Sequence, residues 1–150
     1  MAKKSILLVF LTFLSLSCWA EVNYLTDAEF KAKIFDHTTQ KEWSYKGMTP
    51  CVVDFYATWC GPCKRLAPIM DSLSTVYEGK INFFKVDVDK ERDLVAAFGI
   101  RSIPQVLYIP VTGKPAMQVG FYPPEEIVKN LDALIKKDNF WNLPVRKSDF

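Results

Sequence analysis

The 150-residue chain has a single histidine, His37, four cysteines and little net charge. His37 stands alone in a polar stretch and reads as a surface residue without a catalytic or metal role. One C-x-x-C pair plus one distant histidine does not supply the four ligands of a structural zinc site, so no metal is expected. Lys3 and Lys4 belong to an N-terminal leader pattern, and subtracting them from the 19 basic residues leaves 17 against 17 acidic ones, a net charge of zero. No nucleic-acid partner is expected of such a balance. No apolar run reaches the roughly 20 residues of a spanning helix. Internal repeats and low-complexity segments are absent as well. With 49% apolar residues, the remainder suits one globular domain that can bury its own core.

What is present begins with that leader. Lys3 and Lys4 precede an apolar run from Ile6 to Leu16, and Cys18-Trp19-Ala20 offers small residues before a cut. Residues 1–20 therefore read as a secretory signal peptide, with residues 21–150 as the mature domain. Two alternatives stand beside it. The segment can stay as an uncleaved anchor, or Cys18 can become the lipidated first residue, although Ser15 replaces the large aliphatic expected three positions earlier. Without the leader three cysteines remain, Cys51, Cys60 and Cys63, an odd number that argues against a structural disulfide framework. Cys51 opens an apolar strand and reads as a buried core thiol.

Trp59-Cys60-Gly61-Pro62-Cys63-Lys64 follows the apolar stretch Val52 to Ala57, where a strand should hand over to a helix. Two thiols with this spacing can close a small disulfide ring, form a redox centre or supply half of a metal site. At a helix N-terminus, unpaired N–H groups and the macrodipole stabilise a thiolate. Cys60 is accordingly the expected nucleophile and Cys63, one turn further in, the resolving thiol.

A short edge strand is predicted over 21–25. Thr26 to Glu29 forms a capping box for a helix to about Asp36, with Phe30, Ile34 and Phe35 on its apolar face. A polar connection containing Trp43 and Tyr45 runs to Pro50. Residues 51–57 read as a central strand covered on both faces. The helix from Cys60 shows Leu66, Ile69, Met70, Leu73, Val76 and Tyr77 at helical spacing, holds Pro68, and ends at Gly79. Strand 81–88 follows, with Asp89 as N-cap of a short helix carrying Leu94, Val95 and Phe98. A hairpin spans 106–109 and 117–119 around Thr112-Gly113-Lys114. The closing helix starts at Pro123 or Pro124 and buries Val128, Leu131, Leu134 and Ile135. From 139 a short tail carries Phe140, Trp141 and Phe150.

With these landmarks in order, the sequence from about Leu25 to about Lys137 resembles the thioredoxin family. Those that match are Asp54 six residues before the first thiol, the Trp-Cys-Gly-Pro-Cys-Lys run, Pro68, Lys85, Ile103-Pro104 and Gly120. A lone C-x-x-C would be weak, but six separated matches are specific. The resemblance implies an α/β thioredoxin fold, a central mixed β-sheet flanked by helices on both faces. It also implies a thiol–disulfide oxidoreductase with no cofactor beyond a redox-active Cys60–Cys63 disulfide.

Further roles follow from the same resemblance. Asp54 would be the proton acceptor for Cys63, with Lys85 as its charge partner. Pro104 would follow a cis peptide, Ile103 would pair its backbone with an extended client segment, and Gly120 would leave room for that segment. Trp59 would shield the thiols and offer an apolar contact. Gly61 and Pro62, with no histidine between the thiols, resemble the reducing end of the family. Plain structural alternatives are an edge-strand surface position for Asp54, a solvated face for Lys85 and an ordinary trans turn at Pro104. The leader, the 37–50 connection, Cys51, the tail and Tyr56, where a tryptophan is frequent, depart from the cytosolic pattern. They suggest an exported, periplasmic-type monomer, free or lipid-anchored through Cys18. Such a protein would reduce disulfide-containing clients and draw electrons from an upstream donor, which can be membrane-bound. Disulfide oxidase or isomerase activity, or a non-catalytic binding module, are the competing readings.

Overall fold

The computed structural model describes residues 22–136 and 146–147. The leader, with Cys18, lies outside them, as does all of the tail except residues 146–147. Ten elements follow in the order β1 (Asn23–Tyr24), α1 (Asp27–Lys33), β2 (Cys51–Tyr56), α2 (Gly61–Val76), β3 (Asn82–Asp87), α3 (Arg92–Ala97), β4 (Gln105–Ile109), β5 (Ala116–Val119), α4 (Pro124–Lys136) and β6 (Arg146–Lys147).

The strands form one sheet in the order β1-β3-β2-β4-β5-β6. β1 and β2 both run parallel to β3, while β2–β4, β4–β5 and β5–β6 are antiparallel. This is the mixed sheet expected, with one addition. The backbone of residues 146–147 pairs with Ala116 and Met117, so part of the tail adds a sixth strand. Nothing in its composition announces that pairing, because two residues carry no usable periodicity.

Strand alternation divides the core in two. Val52, Phe83, Val106 and Tyr108 face α2 and α4, meeting Leu66, Met70, Leu73, Ile127, Leu131 and Leu134. Val53, Phe55, Val86, Leu107 and Ile109 face α1 and α3, meeting Phe30, Ile34, Phe35, Leu94 and Phe98. Because β2 is central and covered on both sides, its residues are apolar whichever way they point. Asp54 is the exception, and it shares its face with Val52, under α2.

Local chemistry starts and stops these elements. Thr26 caps α1, its hydroxyl accepting from the Glu29 amide at 3.2 Å while the Glu29 carboxylate accepts from the Thr26 amide at 3.0 Å. α2 runs through Pro68 to Val76, with Tyr77 as C-cap and Gly79 in the left-handed region at φ 74°. Asp89 does not cap α3. Its amide donates to Asp87 Oδ1 within the preceding turn, and Glu91 takes the cap position without a side-chain cap bond. Glu91 Oε2 instead accepts from the Asp27 amide at 2.7 Å, tying α3 to the start of α1.

Three expectations about burial fail. Val76 is 69% exposed at the last turn of α2, and Ile135 is 36% exposed while Ile127 occupies the core in its place. His37 is not a free surface residue. Its Nε2 lies 2.7 Å from Asp27 Oδ1, and its ring packs edge-on to Phe98. The 34–50 connection is also less polar in effect than in composition, because Trp43 stacks on Phe35 with ring centres 4.7 Å apart.

Candidate active site

Cys60 is the N-cap of α2 and Cys63 lies in its first turn. They are joined by a disulfide, S–S 2.09 Å, with Cα atoms 5.3 Å apart. Cys60 Sγ accepts from the Cys63 amide at 3.2 Å, so the sulfur already occupies the position where a thiolate gains most from the helix terminus. No acidic residue stands in the first turn to oppose that charge. Gly61 and Pro62 open the helix, where a proline's missing N–H is harmless. Both cysteines are nearly enclosed, at 4% and 3% exposure, among Ala57, Tyr56, Val88 and Ile103. Exposure therefore does not rank them, whereas position on the helix does.

Trp59 projects beside them, 68% exposed. Its indole Nε1 donates to Asp89 Oδ2 at 2.8 Å, which ties the ring to the loop between β3 and α3. That bond is the work of the carboxylate expected to cap α3. Trp59, Arg101 and Ile103 also line an open hollow with Val88, Val95 and Ile100. The Ile103–Pro104 peptide is cis. Pro104 O accepts from the Gly120 amide at 2.9 Å, placing Gly120 next to it. Gly120 has φ 97°, and a Cβ there would meet nothing within 4 Å, so the backbone conformation and not crowding demands glycine in the unliganded chain. Phe121, next along, lies under the Arg65 guanidinium at 5.3 Å.

Behind the disulfide, Asp54, Cys63 and Lys85 line a cavity of about 160 Å³ together with Tyr24, Tyr56 and Lys64. Asp54 is 1% exposed in a central strand, which removes the edge-strand alternative. Burial is the main cause raising its carboxyl to about 7; the Lys85 charge works against the rise and the Asp71 charge with it. Lys85 is buried rather than solvated, and it sits directly opposite Asp54 in the β2–β3 register. Its ammonium is not on Asp54, however. Lys85 Nζ pairs with Asp71 Oδ1 at 3.1 Å, and Asp54 Oδ1 has no hydrogen-bond partner. Sequence reasoning missed Asp71 and gave Asp89 a helix cap in place of its bond to Trp59. Asp71 is an acidic residue on an exposed helix position, a pattern that signals nothing by itself.

Cys51 is fully buried and free, with burial pushing its thiol up to about 12. It lies at the opposite end of β2 from the disulfide.

The Thioredoxin family model matches residues 21–133. The chain is 54% identical over 97 residues to the thioredoxin of Borreliella burgdorferi, covering 65% of this chain and 83% of that one. It is 35% identical over 108 residues to thioredoxin 1 of a Nostoc species, covering 72% and 92% respectively. A crystal structure of chloroplastic thioredoxin z superposes with a TM-score of 0.63 at 26% identity, over 76% of this chain and 94% of that one. A dithiol pair at a helix N-terminus, already closed as a disulfide in such a fold, defines a thiol–disulfide oxidoreductase that works by dithiol–disulfide exchange. The chain belongs to the thioredoxin family.

Proposed function

We propose that the protein is a protein-disulfide reductase that works as a monomer outside the cytoplasm. In this reading the Cys60 thiolate attacks one sulfur of a client disulfide. A new S–S bond forms, the client bond breaks, and the second client sulfur leaves as a thiolate that takes a proton from water. Cys63 then gives its proton to Asp54, directly or through a water in the shared cavity, and attacks Cys60 Sγ. The mixed disulfide breaks, the departing client thiolate takes its proton from the protonated Asp54 or from water, and the client leaves with two more electrons and two more protons, while the protein is left as the observed disulfide. A dithiol donor must return those electrons, and a membrane-borne one suits an exported protein.

The observation that carries this reading is the buried Asp54 carboxylate facing Cys63 in one cavity, with an oxygen that nothing else occupies. Its raised value puts it where a base serves a thiol at neutral pH. Ile103 and Gly120 would hold an extended client segment, and Trp59 would contact it. Gly61 and Pro62 favour the reducing direction, because neither offers the reduced Cys60 a stabilising cation. Export rests on the Lys3, Lys4 and Ile6–Leu16 pattern, with lipidation at Cys18 as the variant form.

Cys63→Ser tests the mechanism: the mixed disulfide on Cys60 should accumulate, and the trapped proteins are the clients. Failure to trap any protein while Cys60 still reacts with a small disulfide would refute a protein substrate. Equilibration with glutathione tests direction, since a pair that becomes reduced in mild reductant would point to an oxidase. Cell fractionation with and without residues 1–20 tests export.

A further inference from the structure

We propose that Asp71, on α2, is a positioning residue for the proton acceptor: it holds the Lys85 ammonium on its own carboxylate and off Asp54, leaving that buried oxygen free to take the Cys63 proton. The inference rests on the acceptor role proposed above for Asp54.

Asp54 and Lys85 are register partners on neighbouring parallel strands, and both point toward α2. A buried carboxylate and a lysine so placed would ordinarily close on each other, because their attraction grows as water is excluded. Here the lysine is drawn elsewhere, to Asp71 Oδ1 at 3.1 Å. The reason lies in desolvation. The Asp71 side chain is 60% exposed and the Lys85 side chain 10%, so pairing with Asp71 lets the ammonium stay at the wet end of its stem. Closing on Asp54, 1% exposed, would pull both charges into the core.

The other groups facing Asp54 do not substitute for this arrangement. β1 brings Tyr24, β2 Tyr56, α2 Cys63 and Lys64, and β4 Tyr108. Burial pushes Tyr56 up to about 12 and Tyr108 higher still, so both phenols stay neutral. Lys85 and Asp71 are the charges that act on Asp54, in opposite directions. Asp71 therefore acts twice, as a negative charge near the acceptor and as the anchor that keeps a positive one from it.

The test follows the Asp54 carboxyl by carbon NMR across pH in the oxidised protein, in Asp71→Asn and Asp71→Glu, each with Lys85 and with Lys85→Met. Asp71→Asn should lower the Asp54 midpoint by about one pH unit, about tenfold in proton affinity, and Asp71→Glu should restore most of it. With Lys85→Met, the Asp71→Asn effect should shrink by at least half. An unmoved midpoint overturns the proposal, as does an equal drop with and without Lys85, which would make Asp71 only a nearby charge. The same variants are then followed by stopped flow for the pH profile of mixed-disulfide resolution with a fluorescent cystine peptide. A profile that moves with the midpoint supports the whole chain of action. A midpoint that moves alone upholds the Lys85 placement and removes Asp54 as acceptor, so the two failures are distinct.

Discussion

Asp54 should make the oxidised protein less stable as pH rises. Its carboxyl sits near 3.8 in an unfolded chain and at about 7 when folded, because burial disfavours the ionised form. The folded state therefore holds a proton that the unfolded state releases, and stability falls with pH across the interval between the two values. The contribution is fully present below the unfolded value and is lost as pH rises through the folded one. A rise of this size corresponds to on the order of 4 kcal/mol, with a slope of up to about 1.4 kcal/mol per pH unit between about 4 and 7. Asp54→Asn removes the titration and keeps the shape. Urea unfolding of the oxidised wild type and of Asp54→Asn at half-unit pH steps gives the difference directly, and the disulfide keeps Cys60 and Cys63 from titrating. The variant should gain on the wild type from pH 4 to 7 and hold a constant lead above about 8. Parallel curves across that range would refute the buried-carboxylate account.

Cys51 should resist iodoacetamide in the native reduced protein while Cys60 reacts, because it is enclosed and its thiolate is disfavoured; mass spectrometry should find it modified only after unfolding. Phe30→Ala should cost about 3–5 kcal/mol, since the ring is fully buried against Phe98, whereas Val76→Lys should stay within about 0.5 kcal/mol. Gly120→Ala should lose about 1–3 kcal/mol by forcing a side chain into a left-handed backbone region. It should also raise KM for a peptide disulfide more than it lowers kcat.

Most of the scaffold was legible because its signals are local. The Thr26–Glu29 capping box, the apolar β2 stretch and the helical spacing from Leu66 to Leu73 each state their structure within a few residues. The cysteine pair was legible for the same reason, since four consecutive residues place both sulfurs at one helix end. What escaped depends on encounters between distant segments. Asp89 has the chemistry of an N-cap, but Trp59 claims its carboxylate and the 87–90 turn its amide. Lys85 is opposite Asp54 by register, in keeping with the partnership that the family resemblance implied, yet a third residue from α2 decides where its charge rests. His37 looks free until the start of α1 folds against it. Val76 and Ile135 stand one residue beside buried positions, Tyr77 and Leu134, and the helix turn carries them to the outer edge of the apolar stripe, where the core no longer reaches.

The small strand at 146–147 bears on how the molecule avoids sticking to itself. An open sheet edge is a template for any extended chain, and here the protein's own tail takes up Ala116 and Met117. The described pairing covers the half of β5 that lies away from Gly120. Trimming the chain after residue 136 would bare the whole of β5 and favour pairing between copies. With the tail in place, Ala116 and Met117 are held by the chain itself and are closed to a second copy.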